Sequence, residues 1–137
     1  MTTTNMMPVA VAFLIGAVAS PWLTFSLHGQ TRATTSTELL RADLGAWCGG
    51  KEVRVELQES GTGTSGKHYH PGHAFGWIVS GSSVRTILED ETPHPLAVGD
   101  VVHEEPMQVS ETRTTSPTKV LIFRIVEPDK PVTVPVP

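Results

Sequence analysis

The sharpest chemical feature of this chain is the tripeptide His68-Tyr69-His70. On a strand, side chains two residues apart leave the backbone on one face, so both imidazoles can reach a single point. Convergent imidazole nitrogens suit a divalent metal, and they can equally grip a polar ligand. Three nearby residues are candidates for a third ligand: His73, His103 and Glu104. Two histidines and a carboxylate form the facial arrangement used by non-haem iron, with positions left open for substrate and oxygen. Three histidines with an open position suit zinc, manganese, nickel or iron. Ser110 has no glycine-framed elbow around it, which excludes a serine-hydrolase role and leaves it as a pocket residue. Cys48 is the single cysteine, so one chain can form neither an internal disulfide nor a cysteine-based zinc site.

The elements around these residues read as short strands. Val53, Val55 and Leu57 alternate with Glu52, Arg54 and Glu56, the pattern of a half-buried strand. Gly61 to Gly66 reads as a flexible turn, Lys67 to His70 as extended, and Pro71-Gly72 as a turn. Phe75 to Val79 is an apolar run ended by Ser80-Gly81, and Val84 to Leu88 reads as a separate strand. Lys119 to Val126, KVLIFRIV, is the strongest strand pattern and is expected at the centre of the sheet. Phe75, Trp77 and Phe123 are expected in the core or the pocket wall. The tail from Pro128 holds four prolines and should lie extended at an edge. No helix of three turns is expected after residue 28. Short strands with turn signals between them point to an antiparallel sandwich or barrel.

The segment HYHPGHAFGWIVSG resembles the first motif of the cupin superfamily: His-x-His, Pro-Gly, a glutamate, an aromatic-aliphatic strand, then Gly. His68, His70, Pro71, Gly72, Phe75, Trp77, Val79 and Gly81 fit it in type and spacing. GDVVHEEPMQVSETRT, from Gly99 to Thr114, is similar to the second motif, and the likeness extends over residues 38 to 135. The fold this implies is all-β, a double-stranded antiparallel barrel of jelly-roll type. In that family a metal is typically held by the two His and the Glu of the first motif and the His of the second. Here the Glu position is Ala74 and the second-motif His position is Ser110. The turn's Pro and Gly fall at Glu105 and Met107, and the Asn at Thr114. Only His68 and His70 carry over as metal ligands.

The N-terminal part stands apart. Met6 to Leu27 has no charged residue over 22 positions, enough to span a hydrocarbon core. Residues 1–27 read as a signal peptide, cut after Ala19, or as a retained membrane anchor. Residues 28–37 read as a polar linker and residues 38–137 as the barrel domain. A net charge of −4 without a basic block excludes nucleic acid as an expected partner. The expected partner is a small molecule in the barrel, with the membrane and a homodimer as further associations. Three functions remain open: a binding module, a metal-dependent oxygenase-like or isomerase enzyme, and a tethered domain acting through a partner.

Overall fold

A computed structural model describes residues 32–137. The proposed leader or anchor, and the start of the polar linker, lie outside the described residues. Among the described residues no helix is long and apolar enough to cross a membrane.

The described chain is a single curled antiparallel sheet. Its strands are β1 (Thr34–Asp43), β2 (Glu52–Ser60), β3 (Gly63–Thr64), β4 (His68–Tyr69), β5 (His73–Ile87), β6 (Pro93–Leu96), β7 (Val101–Glu104), β8 (Ser110–Val126) and β9 (Val134–Pro135). β1 starts at Thr34, so the last four residues of the expected linker belong to the sheet. The KVLIFRIV strand is central, as its composition requires: β8 pairs with β2, β3, β4 and β5.

β5 and β8 run beside each other along almost their whole length. Where a stop was expected at Ser80-Gly81, the strand bends and continues. Gly81 has φ 80, a conformation that L side chains avoid. A Cβ there would run into the Pro117 carbonyl on β8. The register shifts between Ile78 and Ser83, so the bend is a bulge that carries both long strands around the barrel.

Directly paired residues share a face, and the registers define an inside and an outside. Ala74, Gly76 and Ile78 on β5 pair with Arg124, Ile122 and Val120 on β8. Those three β8 residues pair with Arg54, Glu56 and Gln58 on β2. This is the inner face. Its polar content reverses the expectation for β2: Glu56 and Gln58 turn inward, and Val55 and Leu57 share the other face with Phe123 and Leu121. Phe75 and Trp77 pair with the same two β8 residues and with His103 and Val101 on β7. The outer face is therefore a broad apolar surface. On it Trp77 is 52% exposed and Val101 71%. Phe75, Trp77 and Phe123 are thus not core or pocket wall. Strand parity fixes this, because Ala74, Gly76 and Ile78 occupy the inward positions between them.

Candidate functional site

The barrel encloses a cavity of about 350 Å³. His68 and His70 both line it. β4 holds His68 opposite Ser110, on the same inward side. The chain turns sharply after His70 at Pro71-Gly72. A Cβ at Gly72 would strike the Ile125 carbonyl, so a larger residue would push this turn off β8. The two rings lie edge to face with centroids 5.1 Å apart.

Each ring is fixed by its own partner. His68 Nδ1 donates to the Gly66 carbonyl at 2.9 Å, which leaves Nε2 as the free acceptor. Burial pushes its pKa below the ordinary 6.5, more than the Gly66 hydrogen bond raises it, so the ring is neutral near pH 7. His70 Nδ1 sits 2.6 Å from the Val132 carbonyl and 3.1 Å from an Arg124 guanidinium nitrogen. His70 Nε2 lies 2.9 Å from Glu104 Oε2.

Glu104 is the centre of the polar cluster. Its other oxygen lies 3.3 Å from Arg85 Nε. Burial alone would push this carboxyl up. The hydrogen bond and charge of His70, with the charges of Arg85 and Arg124, outweigh it and hold Glu104 at about 2. Arg85 also donates to Gln108 Oε1 at 3.0 Å and approaches Ser110 Oγ at 3.4 Å. Arg124 pairs with Glu56 at 3.3 Å. Both arginines are only 4% exposed.

The register explains this cluster. Ala74 pairs with Glu104 on one side and Arg124 on the other. At the position where the first motif carries glutamate there is a methyl group, flanked by a carboxylate and a guanidinium. At the second motif's histidine position, Ser110 is 1% exposed and lies beneath Arg85. It is part of the wall behind the cavity.

Of the candidate third ligands, only Glu104 enters the cavity. His73 and His103 are on the outside, with His73 Nδ1 3.0 Å from His103 Nε2. The His103 ring stacks on Phe75 at 4.6 Å. Both take the outward parity of Phe75, which removes them as ligands shared with His68 and His70. Phe75 and Trp77, expected at the pocket, lie outside the cavity for the same reason.

The donor set does not fit a divalent metal. Among the described residues no group of three or more His, Cys, Asp or Glu is arranged to hold one ion. His70 has partners at both nitrogens, and the ionised Glu104 is already paired with His70 and Arg85. Arg32, Lys67, Arg85 and Arg124 line the cavity against the single carboxylate of Glu104. A dication would enter a site already in positive excess.

Sequence reading missed Arg32, Arg85 and Arg124. Arg124 had a signal, since it shares strand parity with Ile122 and Val126 inside the most apolar run. Arg85 had none, because the bulge at Gly81 breaks the parity count from the first motif.

The cupin domain family model matches residues 53–126, more than half of the chain. The chain belongs to the cupin family. Solved structures show the same fold at low identity. A cupin superfamily protein from Desulfitobacterium hafniense is 17% identical, with a TM-score of 0.57 over 74% of this chain and 84% of its own. The polyketide cyclase RemF from Streptomyces resistomycificus is 15% identical, with a TM-score of 0.58 over 76% and 72%. The conserved protein SPY1581 from Streptococcus pyogenes, of unknown function, is 20% identical, with a TM-score of 0.53 over 72% and 77%. No curated protein matches the chain.

Proposed function

We propose that this cupin binds a small organic molecule in its barrel without a metal ion. The observation that carries the reading is the centre of the cavity, where Glu104 is held ionised between His70 and Arg85. Ion-paired polar groups around apolar walls such as Ile78 and Ile122 suit an oriented organic ligand. Elemental analysis of the purified protein should find far less than one iron, manganese, nickel or zinc per chain. Adding these ions should leave the melting temperature unchanged. Near-stoichiometric metal that disappears in the His68→Ala variant would overturn the reading. A fragment screen by NMR should give shifts clustered at His68, His70, Ile78 and Ile122.

One observation favours a second reading, proton-transfer chemistry of the isomerase kind. The neutral ring of His68, with Nδ1 committed to Gly66, offers Nε2 to the cavity as a general base. RemF is an enzyme by name, and its fold likeness carries no residue role across.

Two associations complete the proposal. The apolar outer face, with Phe75, Trp77, Val101 and Phe123 exposed, suits a second copy of this chain packed face to face. Met6 to Leu27 suits export or membrane tethering. N-terminal sequencing of the native protein tests the latter: a start at Ser20 means export, and an intact leader in the membrane fraction means a tether. An intact leader in the soluble fraction would refute both.

A further inference from the structure

The cavity is lined by Lys67 and three guanidiniums, and among the described residues two of the guanidiniums have carboxylate partners. Arg85 is taken by Glu104 and Arg124 by Glu56. Arg32 is different. Its Nη1 donates to Thr114 Oγ1 at 2.6 Å, a neutral hydroxyl on β8. Its Nε is buried and, among the described residues, meets no acceptor. Among the described residues, the acidic charge that acts on it is that of Glu104, which is already engaged by His70 and Arg85.

This arginine is held in place. Its backbone N–H donates to the Thr64 carbonyl on β3 at 3.0 Å, which pins the chain just before β1. Thr114 is 2% exposed and fixes one corner of the guanidinium. Arg32 then lines the same cavity as His68 and His70. A largely buried cation without a carboxylate partner is costly to desolvate, and a bound anion would offset that cost.

We propose that Arg32 is the anchor for the carboxylate of a small organic acid, the ligand class of the barrel pocket. This rests on the reading of the cavity as a small-molecule site. With Nη1 on Thr114 and Nε enclosed by protein, Nη2 is the nitrogen left to the ligand. A carboxylate accepts a charge-assisted hydrogen bond there, about twice as strong as a neutral one. The rest of the ligand then lies against Ile78, Val102, Val120 and Ile122. Those walls exclude a fully hydrated inorganic anion as the best fit. The polar end of the ligand faces His68 and the His70–Glu104 pair.

Matched probes test this on the full chain by NMR titration: benzoate, benzamide and phenyl phosphate. Benzoate should bind roughly tenfold or more tightly than benzamide, the ratio expected when a charged hydrogen-bonded pair replaces a neutral one. Arg32→Gln should abolish that ratio while benzamide binding persists. Thr114→Val, which keeps the cation but frees its corner, should reduce the ratio without removing it. Equal binding of benzoate and benzamide would overturn the carboxylate assignment and leave the pocket reading standing. Tighter binding of phenyl phosphate than benzoate would overturn it as well. A full preference for benzoate in Arg32→Gln would show that another cation holds the acid. Binding of none of the probes at cavity residues would overturn the pocket reading and this inference with it.

Discussion

Glu104 makes the pH dependence of stability a direct test of the buried cluster. Its folded pKa of about 2 lies below the ordinary 4.5. A depressed carboxylate stabilises the fold above its unfolded pKa, and the contribution fades as pH falls through the folded value. The gap of about 2.5 units corresponds to about 3 kcal/mol at neutral pH. About 2 kcal/mol of that should be gone by pH 3, since the unfolded chain has taken up its proton there and the folded one has not. The assay is urea unfolding of the parent and of Glu104→Gln at pH 6 and pH 3. The amide keeps the shape and cannot titrate, so the difference between the two proteins isolates this group from the other carboxylates. The parent should be more stable by about 3 kcal/mol at pH 6, and the gap should shrink by about 2 kcal/mol at pH 3. A gap that stays constant across this range would refute the ion-paired assignment of Glu104.

Other substitutions test the frame. Met107 sits at φ 64, where the second motif expects glycine, and its N–H donates to the His70 carbonyl. Met107→Gly should stabilise the fold by about 0.5–1 kcal/mol, read as a rise of a few degrees in melting temperature; a fall would show that the exposed Met side chain packs on something. Gly81→Ala should cost about 3 kcal/mol or more in denaturant unfolding, since it combines φ 80 with a clash at Pro117. Trp77→Lys should halve the mass measured by light scattering while leaving the circular dichroism intact; a parent protein that is already monomeric would rule out the face-to-face pair.

Strand content and the central place of β8 were legible because apolar alternation and turn residues are local signals. The inward direction of His68 and His70 was legible for the same reason: a two-residue period needs only one strand to be read. Which face of β2 points inward was not. Val55 and Leu57 look like part of a core stripe, and nothing within one strand says that they face outward. That is set by register against Phe123 and Leu121, a long-range pairing. The third member of the site suffered in the same way. His73, His103 and Glu104 were equivalent by type, and only the pairing of Ala74 with Glu104 separates them. Arg32 was hidden by its surroundings, a polar run of small residues that reads as linker.

The two departures from the family pattern are linked in space. Removing a glutamate at position 74 and a histidine at position 110 would leave a hole beside two imidazoles if nothing else changed. Glu104 fills the first gap from the neighbouring strand, and Arg85 covers the second, and the two pair with each other. Each charge is tolerable inside the barrel only because the other is present. The replacement also changes what the cavity can hold. In place of the family's metal ligands the cavity presents one carboxylate among Arg32, Lys67, Arg85 and Arg124. With Glu104 and Glu56 engaged by two of them, the positive charge that remains among the described residues is at Arg32 and Lys67. On the proposed reading, the side chains that disfavour a metal and those that would hold an anion are the same set.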